Sequence, residues 1–373
     1  MRKICFVNSY ACLGGAEKSL QSLIIGFRKK GYYVTAVIGE DGPLREWLEA
    51  ENIIFKIIPQ PSLKTGKDKY LFPLNLLIFW LSVRVFLKKN SIDIVHTNTF
   101  RSRLYCSFLK LIYKCKLIAH VRDIEYSGFN KFLIEKYDYT IAISEAVRES
   151  LLKNINVSSE IKNKIKVIHN GVEESELTCD EEVKNNILQI AMFSRYDEWK
   201  CQHILIEAIR LMRDKCGMLP ANLSFKLYGA PIREAEHEYY TRVVKLVEQY
   251  DLKSNVVFMG FCSAPLEEMR HIDLIICPSD NEPFGRVVIE AMSLKKLVFA
   301  SNNGGIKEIL GQKFNELTFM PRDPDSLSTL LINYLENKSY FELKFRDELY
   351  KDYQSRFSVT QLIRKIEKLY MEE

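Results

Sequence analysis

The run Leu274-Ile-Ile-Cys-Pro-Ser-Asp-Asn-Glu-Pro-Phe-Gly-Arg-Val-Val-Ile-Glu-Ala-Met292 changes character twice. Leu274–Cys277 is short and wholly apolar, as a strand covered on both faces must be. Pro278–Asn281 is a polar loop. Pro283 and Gly285 then suit the entrance of a helix whose apolar body is Val287–Met292. Strand, loop and helix in that order form the repeating unit of a parallel α/β sheet. A helix entrance leaves backbone N–H groups near Phe284–Val287 without intrahelical partners, and such donors attract phosphate. Glu282 and Glu290 are eight positions apart. On a continuous helix that is roughly 800°, so they would lie within about 80° of each other, over two turns apart. Glu282 at the entrance could accept hydrogen bonds from sugar hydroxyls, and the deeper Glu290 from a ribose diol. On residue type alone, a helix cap and a solvated helix residue are the alternative reading.

Working outward, the same alternation runs through the chain. Strands are predicted at Lys3–Asn8, Tyr33–Ile38, Ile53–Ile58, Ile92–His96, Lys116–His120, Tyr139–Ile143 and Ile165–His169, with helical patterns such as Ala16–Lys30 and Arg101–Tyr113 between them. A second set follows at Ile187–Phe193, Ser224–Tyr228, Val256–Met259, Leu274–Cys277, Leu297–Ala300 and Glu316–Phe319. The acidic, nonperiodic Gly171–Lys184 reads as a linker. The fold class is therefore α/β, with two Rossmann-like doubly wound domains facing each other across a cleft. The predicted division is residues 1–176 and 177–355, with an amphipathic tail, 356–373, packing back on the first. In such sheets ligands sit beyond the carboxyl ends of the strands.

Composition restricts the function classes. A length of 373 residues with 47% hydrophobic and 27% charged residues describes two globular domains, not a disordered or fibrous chain. Nine scattered cysteines without a CxxC pair argue for a reducing compartment and against zinc or a disulfide frame. No secretory signal is expected ahead of the first strand, so the expected location is cytoplasmic. The net charge of +5 conceals +9 over residues 1–176 and −4 over the remainder. Twelve basic residues between Lys56 and Lys116 face only Asp68 and Asp93. Among them lies Tyr70–Leu87, an apolar stretch interrupted by Pro73, Asn75 and Arg84. It reads as too short for a membrane span. Flanking lysines and Trp80 suit a helix lying on an anionic membrane surface, although a buried core helix fits as well. Nucleic acid, the other partner of a basic patch, is not expected, because no reading motif accompanies it.

Glu282-Pro-Phe-Gly-Arg-Val-Val-Ile-Glu-Ala-Met292 resembles the signature of the retaining glycosyltransferases of family 4, usually written E-P-F-G-x-x-x-x-E-A-M. That family has the two-domain GT-B fold. The resemblance covers most of the chain. Gly14-Gly15-Ala16-Glu17 is similar to the family's first glycine loop, Val167-Ile-His-Asn-Gly-Val172 to the segment closing the first domain, and Ser194-Arg-Tyr-Asp-Glu-Trp-Lys200 to a G-R-L-x-x-x-K-G pattern. Leu227-Tyr-Gly229 and Gly260-Phe261 are similar to later loops. Two positions depart from it: Ser194 stands where a glycine usually precedes the arginine, and Cys201 where one follows the lysine. Both positions tolerate small residues, so altered loop detail is expected.

The resemblance implies roles. Arg195 and Lys200 would grip the donor's diphosphate, Glu282 would bind hydroxyls of the transferred sugar, and the backbone at Phe284-Gly285 would approach it. Glu290 would bind the nucleoside ribose, with Tyr228 and Phe261 also on the donor side. Gly15 would let the first-domain backbone approach the phosphates. His120 would stand near the transferred sugar, though on its own it reads as a capped strand-end histidine. Arg286 is either a further sugar or phosphate contact or an exposed helix cation. Asp323-Pro-Asp325 looks like a metal-binding D-x-D but precedes a helical run, Ser326–Leu335, and reads better as a turn and cap. The other histidines lack metal-ligand spacing, so no metal and no cofactor are expected. The implied activity is transfer, with retention, from a UDP- or GDP-linked sugar to a hydroxyl of a glycan or lipid-linked acceptor in cell-surface polysaccharide or glycolipid synthesis. The first domain would bind the acceptor, peripherally at the inner face of the cell membrane. A nucleotide-sugar epimerase or phosphorylase of related fold, or a catalytically silent binding subunit, are the alternatives. Intact Arg195, Lys200, Glu282 and Glu290 argue against the last.

Overall fold

Seven all-parallel strands make the first sheet: β1 (Lys3–Asn8), β2 (Tyr33–Ile38), β3 (Ile54–Ile57), β4 (Ile94–Thr97), β5 (Lys116–Val121), β6 (Tyr139–Ala142) and β7 (Ile165–Val167), in the order β3-β2-β1-β4-β5-β6-β7. A second parallel sheet contains β8 (Leu188–Phe193), β9 (Leu223–Tyr228), β10 (Val256–Gly260), β11 (Leu274–Cys277), β12 (Leu297–Ser301) and β13 (Thr318–Phe319), ordered β10-β9-β8-β11-β12-β13. The computed structural model describes residues 2–12, 14–61, 68–153, 155–174 and 187–372. The greater part of the expected linker, residues 175–184, lies outside the described residues.

Each sheet reverses its strand order once, between β1 and β4 and again between β8 and β11. At such a point adjacent crossover connections run to opposite faces and leave a crevice beyond the strand ends. Strands this apolar must be covered on both faces. Accordingly β4, β11 and β12 are buried along their whole length.

The chain divides into two compact units, residues 1–171 with 359–373, and residues 172–358. The carboxyl-terminal helix Val359–Met371 joins the first unit through a buried apolar stripe, Leu362, Ile363, Ile366, Leu369 and Tyr370. It packs on the helix Gly15–Lys29 at Gly26, where an added Cβ would stand 2.6 Å from Ile363. The predicted helix over Arg101–Tyr113 is broken in two, a helix Phe100–Cys106 and a 3-10 turn Leu109–Leu111.

One element departs further from expectation. The apolar stretch that reads as too short to cross a membrane belongs to a helix of 23 residues, Asp68–Asn90, with Pro73 inside it. A proline removes one backbone hydrogen bond. Here it falls in the second turn and has not ended the helix. The helix is long and apolar enough to cross a membrane by length and composition. Its packing is two-sided. Phe79, Val83, Phe86 and Leu87 lie in the core of the first unit, whereas Leu71, Leu74, Leu77, Ile78, Leu81 and Val85 are exposed at three- and four-residue spacing.

Candidate active site

In the second unit the two loops at the reversal point are tied together. The loop after β8 holds Ser194–Lys200, and the loop after β11 holds Pro278–Gly285. Asp280 donates its backbone N–H to the Trp199 carbonyl at 2.7 Å. Lys200 lies over the Trp199 ring, 3.9 Å from its centre, and pairs with Glu282 at 2.7 Å. The two side chains keep only 16% and 12% of their exposure. The structure thus joins a lysine and a glutamate that the sequence separates by 82 positions.

Arg195 stands differently. It is half-exposed and lies 3.5 Å from Asp197 and 3.7 Å from Glu236, two carboxylates it shares with Arg233. Its loop is held from below by Gln202, which donates to the Ser194 hydroxyl at 2.9 Å and to the Arg195 carbonyl at 2.8 Å. Ser194 is therefore put to use as a hydrogen-bond partner. Cys201 sits in the left-handed region, with φ +60°, immediately before the helix Gln202–Cys216. A glycine would hold that conformation without strain.

Glu282 is not helical. The helix begins only at Arg286, because Gly285 has φ +105° and Pro283 carries no N–H. The 80° helical separation from Glu290 therefore does not apply. Glu282 is a loop residue, and Glu290 lies on the buried face of Arg286–Ser293. Glu290 accepts a hydrogen bond from Arg286 Nε at 2.7 Å, so Arg286 is an ion-paired residue of that helix. Phe284 is buried with its ring edge towards Phe357. Tyr228 is also buried, stacked on Phe193 at 4.4 Å, and its hydroxyl donates to Glu268 at 2.8 Å. Phe261 projects with 76% of its surface exposed. Asp323 caps the helix Pro324–Glu336, accepting from the N–H groups of Asp325 and Ser326.

Sequence reasoning missed the loop that supports Glu282. Gly305 donates its N–H to the Glu282 carbonyl at 2.8 Å. A Cβ on Gly304 would come within 2.4 Å of that same oxygen, and one on Gly305 within 2.5 Å of Phe284 Cα. Asn303 donates to Asp280 at 2.8 Å. The signal was present as Asn302-Asn-Gly-Gly305 directly after a buried strand.

In the first unit the corresponding reversal point opens a cavity of about 430 Å³ lined by Tyr10, Glu17, Asn98, Arg101, His120 and Arg122, among others. Gly15 opens the helix Gly15–Lys29, and a Cβ there would meet nothing within 4 Å. His120 is buried on β5. Burial, the Arg122 charge and His96 all hold its ring well below the usual histidine pKa, so it is neutral.

Residues 13–176 match the family described as Glycosyltransferase Family 4, and residues 179–355 the family described as Glycosyl transferases group 1. The capsular polysaccharide biosynthesis glycosyltransferase CapH of Staphylococcus aureus is 22% identical, over 91% of this chain and 93% of its own. The O-antigen biosynthesis glycosyltransferase WclY of Escherichia coli is 25% identical, over 74% and 78%. The crystal structure of Anabaena HepE in complex with UDP and glucose superposes with a TM-score of 0.82 at 22% identity, each chain covered in full. The chain is a GT-B glycosyltransferase. Within this glycosyltransferase, the charged residues singled out in the sequence form two local groups in the second unit, Lys200 with Glu282 and Arg286 with Glu290. Arg195 adds a third charge on the rim, and Gly15 and His120 belong to the first unit.

Proposed function

We propose that this glycosyltransferase moves a sugar from a nucleotide-diphosphate donor, UDP- or GDP-linked, to a hydroxyl of a glycan or lipid-linked acceptor in cell-surface polysaccharide or glycolipid synthesis. The observation that carries the donor reading is the Lys200–Glu282 pair at the strand reversal of the second sheet. The lysine offers countercharge for a diphosphate, and the carboxylate beside it offers an acceptor for sugar hydroxyls. Arg195, half-exposed on the adjacent loop, adds a second cation. The backbone of Phe284-Gly285 borders the sugar, and Glu290 takes the ribose diol. Arg286, Tyr228 and Phe261 shape the donor side, and Gly15 and His120 are the residues the family resemblance adds from the first unit. The structure of HepE with UDP and glucose supports this choice of donor class. The names of CapH and WclY support a polysaccharide product.

The reaction retains configuration by front-face displacement. The acceptor oxygen bonds to the anomeric carbon on the face from which the diphosphate departs. The bond from that carbon to the phosphate oxygen breaks, and the acceptor proton passes to the leaving diphosphate. Arg195 and Lys200 stabilise the charge growing on that group. Neither glutamate acts as a nucleophile or general base, and no metal or cofactor takes part. Transfer in the presence of EDTA, with the product anomer assigned by NMR, tests these statements together. A trapped glycosyl-enzyme would overturn the front-face step. Epimerisation of the donor without acceptor would replace transfer by the alternative chemistry.

The first unit attaches peripherally to the inner face of the cell membrane through the helix Asp68–Asn90. Its exposed leucines and isoleucine face outward while Arg84, Lys88 and Lys89 on the same helix supply charge for anionic headgroups. Its opposite face is packed into the unit's core, which supports lying on the membrane over crossing it.

A further inference from the structure

Behind His120 runs a buried hydrogen-bonded file. Tyr370 Oη lies 2.5 Å from His96 Nδ1, His96 Nε2 lies 3.1 Å from His120 Nδ1, and Arg122 Nη2 lies 3.4 Å from the same His120 nitrogen. His96 and Tyr370 are wholly buried and His120 almost so. Arg122 is fixed on its other nitrogens by Asn98 Oδ1 at 2.6 Å and Asn170 Oδ1 at 2.7 Å.

The proton order in this file is determined by one group. A guanidinium can only donate. His120 Nδ1, facing Arg122, is therefore the lone-pair nitrogen, and it accepts from His96 as well. His96 consequently carries its proton on Nε2. Its Nδ1 is then an acceptor, and Tyr370 must donate to it. Both rings are neutral, because burial first and the Arg122 charge second oppose protonation, bringing His96 down to about 3. With Nδ1 bare, the His120 proton sits on Nε2. That atom is buried and has no hydrogen-bond partner among the described residues, while the residue lines the 430 Å³ cavity.

We infer that His96 and Tyr370 are positioning residues that fix His120 as a neutral Nε2–H donor to an oxygen of the sugar or the acceptor. The inference rests on the reading of His120 as a sugar-facing residue. It excludes His120 Nε2 as a general base, since that nitrogen is already protonated. It also gives the carboxyl-terminal helix a functional side chain, because Tyr370 reaches the strand ends from Val359–Met371.

The test uses the full chain labelled with 15N-histidine. Long-range 1H–15N spectra should show His120 with a pyridine-type Nδ1 and a protonated Nε2, and His96 with the same tautomer. His96→Leu should lower kcat/KM for transfer about tenfold or more, the worth of one well-placed buried hydrogen bond. His96→Gln should recover most of that loss, since its amide can donate to His120 and accept from Tyr370. Tyr370→Phe, a milder change should His96→Leu fold poorly, should give an intermediate loss with an unaltered thermal midpoint for donor-free unfolding within a few degrees. A wild-type His120 protonated on Nδ1 overturns the inference. So does a folded His96→Leu or Tyr370→Phe enzyme of wild-type kcat/KM. If the tautomer is as stated but His120→Gln transfers normally, the underlying reading of His120 fails, and the positioning role falls with it.

Discussion

Lys200 and Glu282 neutralise each other in a mostly buried setting, and that sets what their loss should do. Removing the lysine leaves a desolvated carboxylate, worth roughly 1–3 kcal/mol of stability. Lys200→Ala should therefore melt several degrees lower. It should also lose roughly 10²–10³ in kcat, as expected when a donor to developing charge is removed. The double variant with Glu282→Gln should regain stability without regaining transfer. A folded Lys200→Ala enzyme with normal turnover would remove Lys200 from the site. Glu290 should behave otherwise. In the proposed ribose role its contact is made equally in ground and transition states, so Glu290→Ala should raise donor KM about tenfold with kcat nearly unchanged. Initial-rate kinetics over donor concentration separate the two cases, and a fall confined to kcat would contradict the ribose role. Glu282 and Glu290 were legible from their spacing and Lys200 from the family resemblance, but the pairing was not. Lys200 meets Glu282 only because β8 and β11 are neighbours, a consequence of strand order that no local pattern contains.

At the level of elements, strands and helices were read to within a residue or two wherever an apolar run was bounded by turn residues, as at β1, β2 and β11. Two kinds of element were misread. The Arg101–Tyr113 pattern is helical in period, yet the chain leaves the helix after Cys106 and makes only a 3-10 turn at Leu109–Leu111. Pro73 looked like an interruption of the next apolar stretch upstream, but the helix Asp68–Asn90 contains it. Its two faces differ in burial and hardly at all in composition, so periodicity gave no sign of which side was covered. Surface charge attraction alone would be screened by salt, whereas apolar side chains entering the acyl layer contribute about 1.5–3 kcal/mol each if fully buried. Flotation with anionic vesicles should fall in 0.5 M salt, an order-of-magnitude condition for screening, but not vanish. Leu77→Asp with Leu81→Asp should abolish it, and because both positions are exposed the thermal midpoint should barely move. Undiminished flotation of that folded double variant would rule out this helix as the anchor.

At the scale of the whole molecule, two sheets of the same winding are given different work by the ends of their strands. The first unit places buried neutral imidazoles at its reversal point, and the second places paired charges there. The two designs respond oppositely to acid and to ligand. His96 has its pKa lowered from 6.5 to about 3, and His120 is lowered as well. Above pH 6.5 folded and unfolded chains both hold these rings neutral, and their contribution is fully present. Below it the unfolded chain takes up protons that the folded chain refuses, so stability falls by about 1.4 kcal/mol per pH unit for each ring. Moving from pH 7.5 to 5.5 should therefore cost the first unit roughly 2–3 kcal/mol. Hydrogen exchange on the intact protein should register this as lost protection in β4 and β5, with β8 and β11 much less affected. Adding UDP at pH 7.5 should slow exchange at residues 194–201 and 281–290 and leave β4 and β5 as they were, since a ligand stabilises the state that binds it. Acid loosening spread evenly over both sheets would contradict the histidine account. Protection by UDP confined to the first unit would contradict the assignment of the donor to Lys200 and Glu282.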